Sequence, residues 1–169
     1  MRKIEISTSV TVFSNVSELP VEDRILMDKA IDARKNAYAP YSKFNVGAAL
    51  LLDNGEIVLG SNQENAAYPS GMCAERVAIW KAASDYPNMK VVKLAITASS
   101  LATPVTKPVG PCGACRQSLL EYEIKQETPF KMLLMGEVGE VVITDSLVSL
   151  LPFSFDPTTA ILSPSAARS

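Results

Sequence analysis

The chain has 169 residues, 47% hydrophobic and 20% charged, which fits one globular domain with a real core and excludes a disordered or collagen-like chain. Net charge is −2 and the isoelectric point about 5.2, with Lys and Arg scattered, so no basic face for a nucleic-acid polymer is expected. No apolar run reaches the length of a membrane span, and Met1–Ser9 lacks a signal peptide's apolar block, so a soluble cytoplasmic protein is expected.

Residues 3–13 alternate apolar and β-branched with polar side chains, the pattern of an edge strand or of a partly ordered terminus. Residues 1–20 therefore read as an N-terminal extension. After Pro20, Leu26, Ala30, Ala33 and Ala37 keep helical spacing, with Ile25 and Ile31 widening the stripe. Glu22 and Asp23 suit the start of that helix, and Pro40 predicts its end near Tyr38. Phe44 to Leu52 reads as a strand buried on both faces, Asn54-Gly55 as a hairpin turn, and Glu56 to Gly60 as the returning strand.

A second helix is predicted from Cys73 to about Asp85, carrying Val77, Ile79, Trp80 and Ala83. Val91 to Ala98 is a third buried strand, and Ser99 to Pro111, with three prolines, is a loop. A third helix runs from Cys112 to about Tyr122, two strands follow at Phe130–Met135 and Glu140–Thr144, and a short helix at Asp145–Leu151 stops before Pro152. Helices alternating with buried strands predict an α/β fold, three layers α/β/α around a mixed five-stranded sheet. The main folded unit is expected at residues 21–158, with 159–169 as a C-terminal tail.

All three cysteines fall in two segments, Cys73-Ala74-Glu75-Arg76 and Pro111-Cys112-Gly113-Ala114-Cys115-Arg116, and the chain has no histidine. Cys112 and Cys115 are three apart at a helix start, so both sulfurs can face one side, and helix N-termini favour thiolates. An isolated pair of this spacing would be read first as a structural zinc knuckle or a redox pair. A structural zinc wants four closed ligands, however, and neither a fourth cysteine nor a histidine exists. Glu75, two residues from Cys73, would strain a shared tetrahedral shell. Three thiolates with a nearby unligated carboxylate instead suggest a catalytic zinc whose fourth position holds water. Arg76 and Arg116 are candidates to donate to the sulfurs and offset their charge.

From about Ala37 to Pro157 the chain resembles the zinc-dependent cytidine deaminase family, of the short three-cysteine type. The resemblance implies one Zn²⁺ per subunit on Cys73, Cys112 and Cys115, with Arg76 donating to the sulfurs. Glu75 would shuttle a proton from water to the cytosine ring and then to the departing amino group. Asn62 and Glu64, in Asn62-Gln63-Glu64-Asn65-Ala66, would hold the ribose hydroxyls. Phe44 would pack on the base or sugar, and the Ala74 N–H would bind the ring carbonyl. Phe155 would reach into a neighbouring subunit's site, although Phe153 departs from the family pattern and leaves open which phenylalanine does so.

The implied activity is hydrolytic deamination of cytidine and 2′-deoxycytidine to the uridine forms, in pyrimidine salvage. The implied assembly is a homotetramer with shared active sites. Two rivals stand beside it: a deaminase of an aminonucleoside antibiotic such as blasticidin S, and a catalytically silent zinc-stabilised binding module. The intact Asn62–Ala66 segment argues against the first and the retained Glu75 against the second.

Overall fold

A computed structural model describes residues 1–156. Its sheet is built from β1 (Thr11–Phe13), β2 (Phe44–Leu52), β3 (Ile57–Ser61), β4 (Val91–Ser100), β5 (Lys131–Met135) and β6 (Val141–Thr144). Three helices accompany it: α1 (Val21–Arg34), α2 (Ala74–Asp85) and α3 (Gly113–Lys125). Strand order is β1-β6-β5-β4-β2-β3, antiparallel throughout except for the β4–β5 pair. A parallel pair needs a long crossover, and α3 supplies it. The expected mixed sheet between helix layers is present, with six strands rather than five.

The sixth strand comes from the extension: Thr11, Val12 and Phe13 pair with Ile143, Val142 and Val141. Only these three residues of the alternating 3–13 stretch are strand, and residues 1–10 are exposed. The proposed tail at 159–169, and the last two residues of the 21–158 unit, lie outside the described residues.

Alternation along the strands builds two cores. Ala48, Leu50, Leu94, Ile96, Met132 and Leu134 face α2 and α3, packing with Ala78, Ile79, Leu119 and Leu120. Ala49, Ala95, Leu133, Met135 and Ile143 face α1, packing with Leu26, Met27 and Ala30. Both faces of the sheet are thereby covered, which is why β2 and β4 read as nearly continuous apolar runs.

Several boundaries moved. α1 ends at Arg34, because the chain beyond it is pulled into a bridge between Tyr38 and Gln63, with Tyr38 N–H donating to the Asn62 carbonyl at 2.9 Å. Ala37 consequently lies past the helix, outside regular structure, and Ile25 is 49% exposed while Met27 is fully buried. Of the four residues singled out on α2, only Ile79 is fully buried; Trp80 is exposed, with the Arg76 guanidinium 5.8 Å from its ring centroid. The short C-terminal helix is a single 3₁₀ turn, Val148–Leu150.

One glycine sets where α2 begins. A Cβ on Gly60 of β3 would lie 2.3 Å from the Ala74 carbonyl oxygen and 2.7 Å from the Ala78 nitrogen. Only a residue without a side chain lets the first turn of α2 lie against the sheet so closely.

Candidate metal centre

Cys73 and Cys112 occupy equivalent places, each the N-cap of its helix with extended backbone (φ −73°, ψ 151° and φ −66°, ψ 168°). N-caps are usually Ser, Thr, Asp or Asn, whose oxygens satisfy an orphan helix N–H. Neither cysteine makes such a capping bond. Their backbone carbonyls accept the first helical bonds, from Val77 and Arg116 N–H at 3.1 and 2.9 Å. Cys115 follows in the first turn of α3, fully buried. The three sulfurs lie within 4.8 Å of one another, and among the described residues no other Cys, Asp or Glu joins this group.

The donor set fits zinc. Sulfurs at about 2.3 Å from a tetrahedral zinc are roughly 3.8 Å apart, inside that spread, and soft thiolates suit this metal. Electrostatics already favour the anion at Cys73, whose pKa is pulled down to about 5. Its sulfur accepts a hydrogen bond from the Cys115 thiol, and the Arg76 guanidinium adds a second, with burial opposing both. Arg76 Nη2 sits 3.7 Å from Cys73 Sγ. Arg116 does not take that place. Its Nε donates to the Pro111 carbonyl at 2.9 Å and its Nη1 to the Leu150 carbonyl at 2.7 Å, because two backbone acceptors claim the fork.

Glu75, one residue into α2, is only 5% exposed. Burial pushes its carboxyl up to about 7, its own backbone N–H opposes the rise, and the negative Cys73 sulfur adds to it. Ala74, fully buried beside it, presents the first backbone N–H of the helix.

A cavity of about 570 Å³ opens beside Cys73, lined by Asn62, Glu64, Tyr41, Tyr68 and Arg76 among others. It lies within the size range of small-molecule sites. Asn62 is fixed by long-range bonds rather than by an Asx-turn. Its Oδ1 accepts from Val46 N–H at 2.8 Å and its Nδ2 donates to the Phe44 carbonyl at 3.0 Å. An amide has two donors and two lone pairs, so half its capacity is left by these two bonds. Glu64 Oε2 accepts from the Tyr41 and Ser42 N–H groups at 2.9 and 3.2 Å. Its pKa is lowered, chiefly by the Ser42 hydroxyl and then by those N–H groups.

The segment between them is tied to the metal helix, since Gln63 and Met72 exchange backbone bonds of 2.8 Å immediately before Cys73. Phe44 stands half-buried at the start of β2. Phe155 lies apart from this cavity, exposed beside Phe153. Tyr41 and Tyr68, an edge-on pair 6.3 Å apart on the cavity wall, had no sequence signal beyond lying in Pro-containing loops.

Three sulfurs on two helix starts, with a buried carboxyl alongside, define the site of a hydrolytic metalloenzyme. Comparison with known proteins narrows the class. Residues 20–129 match the cytidine and deoxycytidylate deaminase zinc-binding region. A cytidine deaminase of Halalkalibacterium halodurans is 39% identical over 135 residues, spanning 80% of this chain and 95% of that protein. One of Sporosarcina psychrophila is 41% identical over 131 residues, spanning 77% and 88%. Among solved structures, a cytidine deaminase from Burkholderia pseudomallei superposes with a TM-score of 0.67 at 36% identity, covering 78% of this chain and 97% of that one. The chain belongs to the cytidine deaminase family of zinc-dependent hydrolytic deaminases.

Proposed function

We propose that this protein converts cytidine and 2′-deoxycytidine, with water, into uridine and 2′-deoxyuridine plus ammonia. The observation that carries the reading is Glu75, a carboxyl buried next to a three-sulfur group that it does not join. When bound, zinc supplies the Lewis acidity that makes water a nucleophile near neutral pH. Cys73, Cys112 and Cys115 hold it, and Arg76 offsets the charge of the sulfurs. Glu75 accepts the water's proton and delivers it to ring nitrogen 3 as the oxygen joins carbon 4. Glu75 then takes the second proton of that oxygen, now a hydroxyl on carbon 4, and passes it to the amino group, so that the carbon–nitrogen bond breaks, carbon 4 becomes a carbonyl and ammonia leaves. A carboxyl held near pH 7 suits both directions of that transfer.

The ring carbonyl is taken by the Ala74 N–H. Asn62 and Glu64 hold the sugar hydroxyls, the amide with the valence its bonds to β2 leave over and the carboxylate as an acceptor. An ionised Glu64 on the cavity wall also repels phosphate, which favours a free nucleoside over a nucleotide or a polymer. Phe44 packs on the base or sugar. Phe155 completes the site of a neighbouring subunit in a homotetramer.

Residues 21–158 form the catalytic unit and 1–20 an extension to it. Among the described residues no helix is long and apolar enough to cross a membrane. A cytoplasmic role in pyrimidine salvage follows from the substrate. The test is ammonia release and loss of the cytosine absorbance band when zinc-loaded protein meets cytidine. Turnover of blasticidin S with none of cytidine would overturn the substrate, and no turnover of either would overturn the chemistry.

A further inference from the structure

After β6 the chain doubles back along α3, held at successive points by three side chains of that helix. Glu123, buried, accepts from Ser146 Oγ at 2.5 Å and from Leu147 N–H at 3.0 Å. About two turns nearer the helix start, Arg116 Nη1 donates to the Leu150 carbonyl at 2.7 Å, and Gln117 Nε2 donates to the Phe155 carbonyl at 2.8 Å. As the strap advances from 146 to 155, its anchors move from position 123 to positions 116 and 117. It therefore travels toward the end of α3 that carries Cys112 and Cys115. Between the last two anchors Phe153 has φ +55°, a conformation that bulky residues rarely adopt unless their surroundings impose it. The strap presents Phe153 and Phe155 to solvent, 91% and 69% exposed.

Arg116 differs from the other two anchors. Its Nε also holds the carbonyl of Pro111, the residue preceding the Cys112 ligand. A planar guanidinium fixes two acceptors at a set angle, which an ammonium on a flexible stem cannot do. Glu123 holds the same strap from farther along α3 and makes none of its hydrogen bonds to the Pro111–Cys112 loop. We infer that Arg116 is a positioning residue that ties the C-terminal strap, at Leu150, to the Cys112 loop, so that strap and metal loop are set together while Gln117 fixes only the strap's far end at Phe155. The strap's consequence for substrate rests on the proposed function, in which Phe155 meets the nucleoside.

The test compares zinc-loaded full-length protein with its Arg116→Lys and Gln117→Ala variants. Three quantities are read: amide exchange without substrate, zinc content, and steady-state kinetics with cytidine. Arg116→Lys should speed exchange about tenfold, the order of one lost bond to a charged group, in both the 147–156 segment and the amides of Val109, Gly110 and Cys112 around Pro111. Zinc should stay at one per chain, and KM should rise several-fold with kcat within about twofold. In a Phe155→Ala background the same substitution should add nothing to KM, because the two act through one contact. Gln117→Ala should loosen only residues 153–156. Faster exchange confined to one segment in Arg116→Lys would overturn the coupling. So would a joint loss of zinc and kcat, or KM effects that simply add. Coupled exchange in a protein that does not turn over cytidine would sink the substrate assignment and leave the coupling standing.

Discussion

The two helix starts that supply the sulfurs are built differently. The start of α2 is pressed into the sheet: Ala74 and Glu75 are buried, and the bare Gly60 surface lies against the Ala74 carbonyl. The start of α3 is open: Cys112, Gly113 and Ala114 are exposed, and a Cβ on Gly113 would meet nothing within 4 Å. Rigidity is concentrated where the carboxyl sits, because proton transfer tolerates little misplacement. The open start, held by one guanidinium, needs only to present sulfur.

The sharpest way to break this contrast is at Glu75. Glu75→Gln should lower kcat by about 10²–10⁴-fold, the usual worth of a positioned acid–base group. Zinc measured by atomic emission should stay at one per chain, since the carboxyl is not among the clustered donors. A variant of full activity, or one that has lost its metal, would undo the distinction between ligand and shuttle. Arg76→Gln comes next. Removing the donor 3.7 Å from Cys73 Sγ should cost about 10–100-fold in zinc affinity or activity, read by competition with a chelator and by kcat. A paired substitution then probes the packing directly. Gly60→Ala should destabilise by about 1–3 kcal/mol, since backbone atoms of α2 must move. Gly113→Ala should be neutral or stabilising by up to about 1 kcal/mol, through a less flexible unfolded chain. Thermal melts of the two read the difference, and equal shifts would show that the helix starts are packed alike.

What could be read from sequence was what local chemistry decides. The Asn54-Gly55 turn, with Asn54 Oδ1 accepting from Glu56 N–H at 3.0 Å, and the two cysteine helices were legible because their signals lie within a few residues. What the sequence left unread shares a cause in contacts distant along the chain. Ile25 and Met27 flank Leu26 on opposite sides of the α1 stripe, and only the sheet beneath decides that Met27 is inside. Arg116 beside a ligand looks like a partner for sulfur, until Leu150, 34 residues on, offers its carbonyl. Asn62 looks like a loop residue or a ligand group; its hold on the Phe44 and Val46 backbone, 18 and 16 residues back, has no local signature.

The smallest effect concerns the strand that made the sheet six-stranded. β1 covers the edge of β6 over three residue pairs, and Phe13 packs half-buried against the core on the α1 side. Residues 1–10 are all exposed, and Ile6, Ser7 and Thr8 line a shallow groove beside Val148, Ser149, Pro152 and Phe153. Two truncations separate these parts. Removing residues 1–10 should change stability by less than about 0.5 kcal/mol, as expected of exposed surface. Removing residues 1–13 should cost about 1 kcal/mol for Phe13, a fall in Tm of about 2–4 °C, and leave β6 an open edge prone to pairing with other chains. Melting curves and light scattering at several protein concentrations distinguish the two cuts. A large loss already at residue 10 would show that the exposed arm is seated, on the Val148–Phe153 groove when it is independent of protein concentration and on a second copy when it is not, and that the boundary between extension and catalytic unit lies earlier than Pro20.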